Sequence, residues 1–266
     1  MASFSVVNNI SAVNAQANLA TTNIGLNKAL KALSSGLRIN SSGDDAAGLA
    51  VANSYRSTVA VLGQGIRNAN DGLSVLQIKD GALNNISQLL DRLSTLATQS
   101  ASSSATVNRA TLDTEFQDVL TEINREAAVA GLTTSTGFSV FVSNDSTNGT
   151  IGGTVGAVTT TALSINASTV ATAGGAATAV AAVAAAVTTL GGIQASVGTI
   201  QNRLSYAIAL AQSQITNNKA AESRIRDANI AEESSNLTRY NILTQSGLAA
   251  LAQANSSTGA VLQLLR

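Results

Sequence analysis

From Val59 the apolar positions run Val59, Leu62, Ile66, Ala69, Leu73, Leu76, then Leu83, Ile86, Leu90 and Leu93, with Asp80 in the one missing slot. Alternating steps of three and four predict a coiled-coil seam. A helix from near Asp44 to near Gln99 would be ~80 Å long at 1.5 Å per residue, so it must lie along partners of similar length. Leu112, Phe116, Val119, Leu120 and Ile123 predict a shorter helix after the Ser-rich turn Ser100 to Ser104. Val180, Val183, Val187, Leu190, Ile193, Val197, Ile200, Leu204, Ile208, Ala211 and Ile215 predict a second long one. The chain leaves along one long helix and returns along another, giving a mainly α fold: a long antiparallel helical bundle or coiled coil.

The stretch from Gly131 to Gly175 is different. It is rich in Thr, Ser and Gly, alternates in polarity through Phe138-Ser139-Val140-Phe141-Val142 and has a turn signal at Asn148-Gly149. A small β-hairpin region is expected there, at the tip of the bundle, serving as a linker or surface knob.

The two ends of the chain carry apolar residues and almost no charge. No charged side chain occurs between Met1 and Asn27 or between Tyr240 and Leu265, and only Asp145 between Ala127 and Asn202. Phe4, Val6, Val7, Ile10, Val13, Leu19, Ile24 and Leu26 crowd one end; Ile242, Leu243, Leu248, Leu251, Val261, Leu262, Leu264 and Leu265 crowd the other. Chain ends are usually polar and solvated. These are built for burial, and two such segments are expected to fold fully only against copies of themselves.

Composition narrows the chemistry. The 266 residues include no His, Cys, Pro or Trp, which removes Ser-His-Asp and Cys-His catalysis, Cys/His zinc sites and disulfides. Fifteen basic residues balance fifteen acidic ones, so nothing draws the chain to nucleic acid over long range. The richest apolar stretch, Ala176 to Val187, is short and Ala-based, which argues against membrane insertion, and the N-terminus does not read as a signal peptide.

Candidate motifs have simpler readings. Gly63-x-Gly65 lacks the third glycine of a dinucleotide turn and lies inside the helical seam, so no cofactor is expected. Asp44-Asp45 suit a helix start, where carboxylates accept from free N–H groups. Asn68-Ala69-Asn70-Asp71-Gly72 has no Glu at the twelfth position of a calcium loop and reads as a side-chain bond or kink on a helix. Glu222, Arg224, Arg226, Asp227, Glu232, Glu233 and Arg239 form the densest charge cluster, either a solvated helix face or a device that sets register between neighbouring subunits.

Two stretches go beyond pattern. Leu33-Ser-Ser-Gly-Leu-Arg-Ile-Asn-Ser-Ser-Gly-Asp-Asp-Ala-Ala-Gly48, followed by Arg67-Asn-Ala-Asn-Asp-Gly72, resembles the N-terminal signature of bacterial flagellin. Val197-Gly-Thr-Ile-Gln-Asn-Arg-Leu204, Ser223-Arg-Ile-Arg-Asp-Ala-Asn229, Leu251-Ala-Gln-Ala-Asn255 and Leu264-Leu-Arg266 resemble its C-terminal signature. The resemblance implies a non-enzymatic subunit that polymerises with copies of itself into an extracellular filament. It implies an inner-core N-terminal segment (1–43), an outer bundle (44–130 and 176–220), a short variable region (131–175) and an inner-core C-terminal helix (221–266). Phe4, Val7, Ile10, Val13, Ile24, Leu243, Leu248, Leu251, Leu262 and Leu265 would then serve self-assembly.

By the same resemblance, export runs through the flagellar type III apparatus with a chaperone, and assembly involves cap and junction proteins. A vertebrate Toll-like receptor would contact Arg92 and Leu96 in Leu90-Asp-Arg-Leu-Ser-Thr-Leu-Ala-Thr-Gln99, and Glu115. Ser94 and Thr95 depart from the Arg-Glu common there. The rivals are a hook-filament junction protein and a carboxylate-based enzyme at the tip, where Asp145 is the one acid. The Ser/Thr content from Thr133 to Thr172 would permit O-linked sugars.

Overall fold

The computed structural model describes residues 8–103, 108–143, 145 and 148–264, with side chains to Ser257. Its elements are α1 (Ile10–Ser35), α2 (Ala46–Ala101), α3 (Arg109–Val129), β1 (Thr136–Phe141), β2 (Thr150–Val155), α4 (Ala173–Arg226) and α5 (Ile230–Leu264). They form two compact units, one of residues 1–57 and 217–266, the other of residues 58–216.

In the second unit the seam of α2 keeps the expected period, but different residues occupy part of it. The buried positions are Leu62, Gly65, Ala69, Gly72, Leu76, Leu83, Ile86, Leu90, Leu93, Ala97 and Ser100, with half-buried Lys79 in the open slot. Ile66, Leu73 and Asp80 are displaced to its flank. The cause is the β-hairpin: a Cβ on Gly65 would stand 1.9 Å from the backbone oxygen of Val142, and one on Gly72 would stand 2.7 Å from Val140 Cγ2. Glycine lets the strands come down onto the helix. The seam of α4 likewise passes through Ala176, Ala179, Val183, Ala186, Leu190, Val197, Ile200, Leu204 and Ala211, while Val187 is exposed.

β1 and β2 pair antiparallel from Thr136↔Val155 to Phe141↔Thr150, joined by residues 142–149. The hairpin is present as expected, but it lies along the flank of the helices, with Gly153 against Ile200 and Gly156 against Ile193. Asn68 accepts from Gln64 Nε2 at 2.8 Å along the helix and donates from Nδ2 to the Phe141 carbonyl at 3.1 Å. Arg203 donates to the Gly152 carbonyl at 2.8 Å.

The segment after β2 is packed, which corrects its reading as a linker or knob. Val158, Leu163, Ile165 and Val170 are buried in one core with Phe116 and Ile123 of α3 and Leu90, Leu93 and Leu96 of α2. Two polar anchors hold it to α3. Asp113 accepts from the Thr169 hydroxyl and the Val170 N–H, both at 2.7 Å. Asn124 accepts from the Thr160 N–H at 3.0 Å and its hydroxyl at 3.1 Å. Ser100 is not in a turn; it is buried in the last turn of α2 and donates to the Val170 carbonyl.

Lys79 reaches the C-terminal end of α3, donating to the Gly131 carbonyl at 2.9 Å, where a cation suits the helix dipole. Burial lowers its pKa. By length and composition α4 is apolar enough to cross a membrane, with an 18-residue window of mean hydropathy 1.8, which corrects the expectation that no stretch would be. That value comes from Val, Leu and Ile together with many alanines, and the seam side chains of α4 belong to the protein core.

Candidate functional site: the terminal helix pair

In the first unit α1 and α5 pair along a second coiled-coil seam. The seam runs on α1 through Ala12, Ala15, Leu19, Thr22, Leu26, Ala29 and Leu33, with Gly25 and Ala32 also sheltered beside it; on α5 it runs through Glu233, Leu237, Tyr240, Thr244, Gly247, Leu251 and Ala254, with Asn236 beside it. Both series step by three and four. The antiparallel register is fixed at four levels. Asn9 Nδ2 donates to the Ala254 carbonyl at 2.8 Å. Leu19 sits 3.2 Å from where a Cβ of Gly247 would be, and Tyr240 lies closer still to that of Gly25, at 2.5 Å. Leu37 bridges to Asp227, with Arg38 N–H donating to the Arg226 carbonyl at 2.6 Å.

The helix ends explain why the chain folds this way. Asn9 caps α1, its Oδ1 accepting from the Ala12 N–H at 3.1 Å. Gly36 ends the helix with φ +72, a left-handed C-cap donating to the Ala32 carbonyl. Asp45 accepts from the Gly48 N–H at 2.9 Å at the start of α2, as expected of a capping carboxylate. Asp44 turns back instead and accepts from the Asn40 and Ser41 N–H groups and the Ser41 hydroxyl. Those bonds, led by the Ser41 N–H, hold its carboxyl below the usual aspartate value; Lys28, at 3.6 Å, adds to the effect.

The seam shelters little. Among α1 residues only Ala29 and Ala32 are buried. Ile10 is 64% exposed, Val13 63% and Ile24 71%, and all three lie on the α1 face opposite the seam. On α5, Ile242, Leu243 and Leu248 are exposed, whereas Leu251 is on the seam and half-buried against α1. Phe4, Val7 and Leu265 lie outside the described residues, as does the side chain of Leu262. The terminal segments thus do pair within one chain, which refines the expectation that only other copies could order them. Their large apolar side chains are left bare all the same.

The charge cluster beside this pair is partly structural. Arg226 meets Glu222 at 3.6 Å, Ser223 donates to Asp227, and Arg38 donates to the Ile225 carbonyl at 2.8 Å. The guanidinium of Arg239 lies 5.5 Å from the ring centroid of Tyr240.

Elsewhere, Arg92 on α2 and Glu115 on α3 form an ion pair with exposed side chains. Leu96, expected on the same surface, is 1% exposed and belongs to the core, because its position continues the inward face of α2. Among the described residues no cluster of acids has the spacing of a metal site. Gly63-x-Gly65 sits inside α2, its second glycine occupied by the hairpin.

Comparison with known proteins agrees with this arrangement. The bacterial flagellin N-terminal helical region matches residues 6–138, and the bacterial flagellin C-terminal helical region matches residues 180–265. A flagellin of Halalkalibacterium halodurans is 37% identical, covering 97% of this chain and 98% of its own. Flagellin FlaB1 of Treponema pallidum is 33% identical over 97% of this chain and 98% of its own. A flagellar filament 33 kDa core protein of Treponema phagedenis is also 33% identical, with the same coverage.

Proposed function

The chain belongs to the bacterial flagellin family and is a structural, non-enzymatic subunit of the flagellar filament, and on that premise we propose which of its surfaces build the polymer. The observation that carries the proposal is the set of large apolar side chains left bare on the outer surfaces of the α1–α5 pair. Ile10, Val13 and Ile24 on α1, with Leu243 and Leu248 on α5, pack against the same helices of neighbouring copies. Phe4, Val7, Leu262 and Leu265 are assigned the same role from their apolar character in the charge-free end segments. Leu251 serves assembly indirectly, by holding α5 to α1.

Burying a large aliphatic side chain is worth ~1.5–3 kcal/mol, so a handful per subunit, repeated along a lattice, drives association. The small Ala, Ser and Gly residues of α1 and α5 permit close helix approach. Segments 1–43 and 221–266 form the inner core of the filament, 44–130 and 176–220 its outer bundle, and 131–175 a short variable β/loop region. The relatives named above are flagellins and a filament core protein, which lends no support to the hook-filament junction alternative.

The filament is extracellular, reached by type III export with a chaperone and built with cap and junction proteins. A Toll-like receptor, if it engages this chain, meets Arg92 and Glu115 as an ion-paired surface across α2 and α3, supported from below by Leu96. Sugars on exposed Ser or Thr between Thr133 and Thr172 would show as an intact mass above 26.7 kDa.

Seeded polymerisation of the purified chain, followed by sedimentation and electron microscopy, tests the proposal. The triple substitution Ile10→Ser, Val13→Ser, Ile24→Ser should leave the monomer's circular dichroism unchanged and abolish filaments. Normal filaments from the triple variant would overturn the assignment of this face.

A further inference from the structure

All five charged residues of α1 and α5 lie at one end of the helix pair: Lys28 and Lys31 on α1, Glu232, Glu233 and Arg239 on α5. Between the level of Gly25 with Tyr240 and that of Leu37 with Asp227, the register puts Lys31 about level with Glu233 and Ser234. Opposite charges thus share one level, yet among the described residues no ion pair engages Lys31, Glu232 or Glu233.

The geometry explains why. Lys28 and Lys31 continue the outer stripe of Ile10, Val13 and Ile24, on the side of α1 turned away from α5. Glu232 is exposed on the first turn of α5. The helix dipole accounts for a carboxylate there, but not for two lysines ending an otherwise apolar stripe. On that outer face Ile24, Lys28, Lys31, Ser41 and Asp44 line an open pocket. Asp44 holds Lys28, leaving Lys31 as the unpaired cation.

We propose that Lys31 of one copy pairs with Glu232 of a neighbouring copy in the polymer, so that a charged collar fixes the register of subunits whose apolar faces alone could slide. The proposal rests on the assembly face above and adds to it. An apolar stripe is non-directional, whereas a charge pair beside it penalises every packing that leaves one charge against a like one. The partner is a second copy, because Lys31, on the side of α1 turned away from α5, and exposed Glu232 on α5 present opposite charges at about one level, which suits a lattice in which each subunit offers α1 to one neighbour and α5 to another.

The test uses two full-length single variants and their mixture. Lys31→Glu makes both positions acidic in one protein, and Glu232→Lys makes both basic in the other. Each variant alone should keep the monomer's circular dichroism and raise the critical concentration for polymerisation on the order of tenfold or more. Mixed in equal amounts, they should co-polymerise near the wild-type critical concentration, because every contact between unlike subunits again joins opposite charges.

Wild-type behaviour of either single variant would overturn the proposal. So would rescue by the double charge swap in one chain without rescue by the mixture, which would place the pair within a subunit, and so would rescue by neither. If the charge variants polymerise normally while the Ile10, Val13, Ile24 variant does not, only the collar fails. Failure of the wild-type chain to polymerise would overturn the collar and the assembly face together.

Discussion

Gly25 on α1 and Tyr240 on α5 are in such close approach that a Cβ at residue 25 would stand 2.5 Å from Cζ of the tyrosine ring. The glycine is there to let a large ring serve as the seam residue of α5, which brings the helices close without an aromatic partner on α1. Gly25→Val should therefore cost ~1–3 kcal/mol in the stability of the helix pair by overpacking. Adding Tyr240→Ala should recover part of that loss. Denaturant melts of the two single variants and the double variant measure the coupling, and additive effects would contradict the contact.

Gly63 and Gly65 stand two residues apart in α2 and should respond oppositely to alanine. Nothing lies within 4 Å of where a Cβ of Gly63 would be, so Gly63→Ala should stabilise by about 1 kcal/mol through helix propensity. Gly65→Ala drives a methyl into the Val142 backbone and should destabilise on balance, with the hairpin loosened first. Thermal unfolding orders the two variants on either side of wild type.

Asp113 accepts from the Val170 N–H at 2.7 Å, and Val170 is fully buried. Asp113→Ala leaves that donor unsatisfied and should cost ~1–3 kcal/mol, with faster amide exchange between residues 158 and 172. Asn124→Ala should loosen the same segment around Thr160. Exchange mapped by mass spectrometry separates the two effects.

Acid should weaken the turn between α1 and α2. The Asp44 carboxyl is held below its ordinary value, chiefly by the Ser41 N–H, so its bonds stabilise the fold above the unfolded-state pKa of about 3.9. That contribution is lost as pH falls through the lower folded value. Asp44→Asn should give a chain that is less stable near neutrality and loses less further stability between about pH 5 and pH 2. Equal acid sensitivity in the two proteins would contradict it.

Most of this architecture is legible in the sequence because helix periods survive any choice of seam residue. The seam itself was misplaced by one position at Ile66, Leu73 and Val187, since larger side chains outweigh glycine and alanine in a hydrophobic pattern. What selects Gly65 and Gly72 is a hairpin some seventy residues further on, and local pattern carries no trace of it. Val158, Leu163, Ile165 and Val170 were hidden among Thr, Ser and Gly for the same reason: they have no period of their own and are buried by anchors on α3. The apolar side chains Ile10, Val13 and Ile24, which the structure leaves exposed, are legible in the sequence from the charge-free N-terminal stretch. Leu96, expected on the surface, is buried, because composition does not say which face of a helix is covered.

The central claim is that the α1–α5 pair is thinly sheltered in one copy and completed by others. Hydrogen exchange compared between dilute monomer and assembled filament tests it most directly. The amides of residues 10–35 and 230–257 should exchange far faster than those of residues 76–97 in the monomer, and should become comparably protected in the filament. Full protection of the terminal helices in the monomer, unchanged on assembly, would contradict the account.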